Sequence, residues 1–239
     1  MDTLEHQAQS LPAPTADRPL LGLTVLVIED SRFACEAMRL LCLRSGARIR
    51  RAGSLRAARR HLQVYRPSIV IADLGLPDGN GIDLIAELAR AQPRVDALLA
   101  ISGDTHLAAD ALAAGADRFM SKPLQSLSQF QQVVLAALPP HHRPPGLSAL
   151  SDDTVRPDDI ALQDDMAHMD DVLTGPCTPE KLDYVAQFLA GVARSAQDAA
   201  LEQAATALAA RRAMGLPTNE EKRVIRSVLR QRLTRQIAI

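Results

Sequence analysis

The sequence predicts an α/β fold, a parallel sheet with helices on both faces, followed by a smaller all-helical region. Three observations carry this. Between Leu23 and Leu138, five short β-type runs alternate strictly with five helical patterns, and strict alternation builds a parallel sheet covered on both sides. The run Pro-Pro-His-His-Arg-Pro-Pro-Gly at 139–146 ends the alternation. Beyond it the apolar periodicity is helical only.

Taken in order, residues 1–20 are polar and proline-containing and read as a flexible leader. Leu23 to Ile28 is a short apolar run ending in acids, hence a buried strand. Ser31 to Arg44 repeats Phe33, Ala37, Leu40 and Leu41 on one helical face, with Ser31 as its cap. Ala47 to Arg51 suits an edge strand, and Ser54 to Tyr65 a second helix. Ser68 to Ala72 is a β-branched run that ends at Asp73. Gly81 to Ala91 is helical, Ala97 to Ile101 a strand, and Asp104 to Ala114 a helix stopped by Gly115. Ala116 to Met120 gives the last strand and Leu124 to Leu138 the last helix of the unit. The chain therefore divides into a leader (1–20), an α/β domain (21–138), a proline-rich and acidic linker (139–159) and a helical region (160–239).

In the helical region, Thr178-Pro179-Glu180 opens a helix with proline at its first position. An alanine-rich pattern runs on to about Ala213 with a break near Ser195, and Gly215 and Pro217 stop it. Thr218 and Glu221 have capping-box spacing. They open a final basic helix with Val224, Ile225, Val228, Leu229 and Leu233 on its apolar side.

Composition narrows the function. Apolar residues make up 47% of 239, enough for a sizeable core, and a formal net charge of −1 gives no global attraction for nucleic acid. Local charge is uneven: eight Asp and one Arg lie between Ser151 and Asp171, whereas six Lys or Arg face two Glu from Thr218 onward. Cys35, Cys42 and Cys177 have neither metal spacing nor an even framework, so a reducing compartment is expected. The N-terminus lacks the pattern of a signal peptide and no stretch has the length of a membrane span, so a cytoplasmic location is expected. Asp164 and His168 would share a helical face, as metal ligands can, but a run of Asp around one His reads as a solvated acidic face.

The chemistry lies at the strand ends. Ligand sites of parallel α/β sheets form beyond the carboxyl ends of the strands. There the sequence places Glu29 and Asp30 after the first strand, Asp73 after the third, Ser102 after the fourth and Lys122 after the fifth. Clustered carboxylates repel, and a hard cation such as Mg2+ relieves them. Asp30 and Asp73 are the direct candidates to hold it, with Glu29 acting through water. Asp73 is then a carboxylate nucleophile, Lys122 a partner for phosphoryl oxygens and Ser102 a hydrogen-bond donor to one of them.

These residues resemble the receiver domains of response regulators. The resemblance covers about Leu21 to Leu138 and rests on five fragments in order: Glu29-Asp30; Asp73-Leu-Gly-Leu-Pro77; Gly81; Ile101-Ser102-Gly103; and Phe119-Met-Ser-Lys122-Pro123. It implies a flavodoxin-like sheet in the order 2-1-3-4-5 and a phosphoacceptor role for Asp73. It further implies Mg2+ ligation by Asp30, Asp73 and the backbone carbonyl of Gly75, a switch pair of Ser102 and Phe119, and a cis Lys122–Pro123 bond. Here Glu29 replaces the commoner Asp, Ser102 the commoner Thr and Phe119 the commoner Tyr. The implied partner is a histidine kinase or histidine phosphotransfer protein, with a homodimer through the region 104–138 as a further implication. The chain is then a phosphoacceptor with at most autodephosphorylation, not otherwise an enzyme. Two readings of the tail stay open: a protein-interaction or dimerisation module packed through Ala186, Ala190, Gly191 and Ala193, or a DNA reader using Arg223, Arg226 and Arg230.

Overall fold

The order of apolar runs is realised directly in the computed structural model, which describes residues 14–143 and 153–235. Five strands form one parallel sheet: β1 (Thr24–Ile28), β2 (Arg48–Ala52), β3 (Ile69–Asp73), β4 (Ala97–Ser102) and β5 (Arg118–Ser121), in the order β2-β1-β3-β4-β5. This is the expected doubly wound topology. The central strands are buried on both faces, as their unbroken apolar sequences require. β2, with Arg48, Arg50 and Arg51, is the exposed edge.

Helices α1 (Arg32–Arg44) and α5 (Leu127–Ala137) cover one face; α2 (Leu55–Val64), α3 (Gly81–Arg90) and α4 (Ala108–Ala113) cover the other. Ser31, Ser54, Asn80 and Ser126 each cap the helix that follows by accepting a backbone N–H. The predicted helix 104–114 is shorter than expected. Asp104 caps a single 3-10 turn, Thr105–Leu107, and α4 begins only after it. A small hairpin pairing Gly75–Leu76 with Gly79–Asn80 follows β3, and the Lys122–Pro123 bond is cis.

Two boundaries shift. Leu20 is fully buried and its N–H donates to the Ser45 carbonyl, so the end of the leader belongs to the domain; residues 1–13 lie outside the described residues. In the expected linker, Val155 is fully buried in the receiver-side core and residues 153–155 bridge onto 125–127. Residues 144–152 lie outside the described residues.

The helical region contains α6 (Asp159–Thr174), α7 (Pro179–Ala196), α8 (Ala199–Ala213) and α9 (Asn219–Arg235) around its own core, centred on Met169, Val185, Leu189, Leu201, Leu208 and Leu229. The break between α7 and α8 falls at Gln197, which has a left-handed φ of 57°, two residues after the expected Ser195. In α9, Ile225 and Leu229 are buried as expected, but Val224 faces solvent. Packing against α6 and α8 fixes the face of this helix, and Val224 lies off it.

Candidate functional site

The carboxyl edge of the sheet collects the predicted residues. Asp73 is the last residue of β3, Ser102 the last of β4, and Glu29, Asp30 and Lys122 directly follow β1 and β5. The Lys122 ammonium lies 2.5 Å from Glu29 Oε2 and 3.0 Å from Asp73 Oδ2. Glu29 Oε1 accepts from the Ser31 N–H at 3.1 Å. Carboxylate oxygens of Glu29, Asp30 and Asp73 lie within 4.8 Å of one another. Glu29 is 2% exposed and Asp73 5%, so both side chains are enclosed by protein. Ser102 is buried on the same edge, its Oγ accepting from the Asp104 N–H at 3.1 Å. Phe119, the predicted switch aromatic, is half-buried against the core on the α2–α3–α4 side.

Charge is out of balance here. Burial, reinforced by Asp73 and Asp30, pushes the Glu29 carboxyl up to about 8 despite the Lys122 contact. Burial also raises the Asp30 carboxyl, against a hydrogen bond from Tyr184. For Lys122, burial opposes the charge, but the Asp73 and Glu29 carboxylates outweigh it and hold the ammonium protonated. Three acids against one ammonium, all offering oxygen donors, suit a hard divalent cation, and Mg2+ fits this donor set.

Sequence reasoning did not place the helical region. It packs directly on this edge. On α7, Tyr184, Gln187, Phe188, Gly191, Arg194 and Ser195 recur at helical spacing on one face. Five of them, Gln187, Phe188, Gly191, Arg194 and Ser195, line a cavity of about 90 Å³ together with Glu29, Asp73 and Lys122, and the Tyr184 hydroxyl donates to Asp30 Oδ2. Two glycines make the close approach possible. A Cβ at Gly75 would overlap the Gln187 carboxamide, and one at Gly103 would overlap the Arg194 guanidinium. Gln125 Nε2 donates to the Ser195 carbonyl at 3.0 Å.

Helix α6 supplies a second anchor. Asp165 accepts from Ser31 Oγ at 2.7 Å, from the Arg32 N–H at 2.8 Å and from the Phe33 N–H at 3.0 Å. It thereby satisfies free donors at the start of α1, where a carboxylate also meets the positive end of the helix dipole. The expectation of a solvated acidic face on this segment is corrected: Asp165 is 3% exposed, and Asp170 is paired with Arg226 at 2.9 Å and Arg230 at 3.4 Å. His168 does face outward, on a groove bordered by Asp30, Pro77 and Tyr184.

Part of the chain is similar to known proteins. The family described as Response regulator receiver domain matches residues 25–134. The KDP operon transcriptional regulatory protein KdpE of Escherichia coli is 31% identical over 134 residues, 55% of this chain and 59% of that protein. The chemotaxis protein CheY of Thermotoga maritima is 28% identical over 109 residues, 44% of this chain and 89% of its own. The chain thus spans about six tenths of the length of the KdpE relative. A putative response regulator from Chloroflexus aurantiacus superposes over 47% of this chain and 91% of its own, at 24% identity and a TM-score of 0.42. The span that matches the response regulator receiver domain, residues 25–134, holds the whole acid–lysine cluster.

Proposed function

We propose that this chain is a two-component response regulator that accepts a phosphoryl group on Asp73 from a phosphohistidine donor. The docked helices α6 to α9 form the module that the modified site switches. The observation that carries the reading is the convergence of Asp73, Glu29, Asp30 and Lys122 on one small cavity at the carboxyl edge of the sheet. A carboxylate oxygen of Asp73 forms the new O–P bond as the N–P bond to the donor imidazole breaks, and the electron pair returns to that nitrogen. Lys122 follows the charge onto the phosphoryl oxygens, and the Ser102 hydroxyl donates to one of them. Asp30, Asp73 and the Gly75 carbonyl would hold Mg2+, with Glu29 reaching it through water; bound there, it supplies positive charge against the phosphoryl oxygens. Ser102 and Phe119 form the switch pair. The only covalent chemistry in this reading is acceptance and slow loss of the phosphoryl group, in the cytoplasm, with a homodimer through the α4–β5–α5 face as a further element. Incubation with acetyl phosphate and Mg2+ should give an acid-stable, base-labile adduct that maps to Asp73. A chain that stays unmodified, or is modified only elsewhere, sinks the reading.

The tail is read as a protein-interaction module in preference to a DNA reader. KdpE is named a transcriptional regulatory protein, and a groove on α9 is lined by Arg223, Arg226 and Arg230. Yet Arg226 and Arg230 are spent on Asp170, Arg223 on Glu220 and Arg232 on Asp198, which leaves less charge for phosphates. A gel shift with genomic fragments that weakens steeply with salt would reverse this preference.

Glu29 gives the site a pH signature. Its folded pKa of about 8 exceeds the ordinary 4.5, so its stabilising effect is complete below the unfolded value and is lost as pH rises through about 8. The metal-free protein should therefore melt at lower temperature at about pH 9 than at about pH 6. Mg2+ binding, which releases this proton, should tighten by up to about tenfold per pH unit below 8. Thermal melts and calorimetric titration across this range check both, and a flat profile contradicts the assignment.

A further inference from the structure

Arginine 194 is anomalous among the basic residues of the helical region. Arg212 meets Asp183 at 2.9 Å, Arg226 meets Asp170 at 2.9 Å and Arg232 meets Asp198 at 2.7 Å. Arg194 Nε, by contrast, is shielded from solvent and makes no hydrogen bond. The ion pair it forms, with Glu202, is at 4.0 Å, beyond hydrogen-bond reach. The Arg194 side chain is 37% exposed, so the guanidinium keeps water on its outer edge while its shielded Nε–H has no acceptor, a donor free for a partner that arrives in the cavity.

Its position indicates that partner. The Arg194 guanidinium packs on Gly103, the residue after Ser102 at the end of β4, and lines the same cavity as Asp73 and Lys122. A side chain at Gly103 would fill the space the guanidinium occupies. The chain thus opens a place for this arginine on the phosphoryl side of the edge, while Gln187 occupies the equivalent place at Gly75. An aspartyl phosphate would extend Asp73 into this cavity by one tetrahedral group with oxygens to spare. A planar guanidinium with five donors is better matched to such oxygens than to a single carboxylate at a distance.

We propose that Arg194 is a phosphoryl-binding residue, supplied to the receiver site by α7 of the helical region. The proposal rests on Asp73 being the phosphoacceptor. It adds that the helical region reads the modification by direct contact, so that phosphorylation locks α7 onto the edge rather than releasing it. In the unmodified protein α7 is held by Tyr184 on Asp30 and by the Ser195 carbonyl on Gln125; the phosphoryl group adds a charged tie between them.

Beryllofluoride, which mimics the phosphoryl group on a carboxylate, tests this in the full chain with saturating Mg2+. Fluorine NMR should show binding to the unsubstituted protein, weakened at least about tenfold in Arg194→Gln and partly restored in Arg194→Lys. Mg2+ affinity without beryllofluoride should not fall in either variant, because a positive charge beside the acids is kept or removed, whereas a merely structural loss at the site would lower it. Hydrogen exchange in the unsubstituted protein should slow in α7 on loading. Equal beryllofluoride affinity in Arg194→Gln, or faster exchange in α7 on loading, overturns the proposal and leaves the phosphoacceptor reading intact. Absence of any binding to the unsubstituted protein brings down both.

Discussion

Replacing Asp73 by asparagine should abolish the acetyl phosphate adduct completely while leaving the fold in place. The amide matches the carboxylate in size, so the end of β3 and its pairing with β4 have no steric reason to move. A carboxamide is not a nucleophile toward phosphorus under these conditions, so the loss is total rather than graded. The substitution also changes the charge of the site in a readable direction. Asp73 is one of the groups that raise the Glu29 carboxyl to about 8; with the charge gone, Glu29 should titrate lower. Lys122 keeps its contact with Glu29 at 2.5 Å, so the ammonium is not left without a buried partner. The metal-free variant should therefore lose less stability between neutral and alkaline pH than the unsubstituted chain. Intact mass after labelling and melting curves across pH measure the two effects. A labelled Asp73→Asn chain with its adduct on another residue would show that the nucleophile has been misassigned.

The part of this site that was legible in the sequence follows from the sheet. In a parallel sheet every strand delivers its last residue to the same edge, so acids after β1 and β3, a hydroxyl after β4 and a lysine after β5 meet wherever the chain goes between them. The buried strands were equally legible because Val, Ile, Leu and Ala runs such as 69–72 and 97–101 have no other economical fate. The docking of the helical region was not legible. Periodicity identifies the apolar face of α7, but Tyr184, Gln187 and Arg194 are polar and lie along its border, where the same residues would serve equally well in water. Asp165 was hidden in an acidic run whose other members, such as Asp159, are exposed. The signals that existed were on the other side of the interface. Gly75 and Gly103 flank Asp73 and Ser102, and each leaves room for a side chain arriving from α7. A glycine can be read from a sequence; the residue that comes to fill its space cannot.

Substituting Asp165 by alanine should loosen the helical region from the receiver more than any other single change at their interface. Its carboxylate accepts three hydrogen bonds at the start of α1, and the first turn of that helix has no other acceptor for the Arg32 and Phe33 N–H groups among the hydrogen bonds found there. Burial already lifts this carboxyl above its ordinary range, held back by those same hydrogen bonds from Ser31, Phe33 and Arg32. Removing it leaves the buried Phe33 N–H and the part-buried Arg32 N–H without their acceptor at the positive end of a helix, a loss of about 1–3 kcal/mol. Ser31 would still cap Ala34, so α1 itself should survive. The expected signature is therefore local: faster hydrogen exchange at the N-terminus of α1, in α6 and in α7, with the central strands unchanged. The same variant should accept a phosphoryl group faster from a phosphohistidine protein. Asp73 is 5% exposed beneath α7 in a cavity of about 90 Å³, and a donor imidazole carried on another protein needs α7 to lift before it can reach the carboxylate. Acetyl phosphate is smaller and should show less of this gain, so the ratio of the two rates isolates access from chemistry. An Asp165→Ala chain whose protein-donor rate and α7 exchange both match the unsubstituted protein would mean that the contact at the start of α1 does not hold the helices over the site.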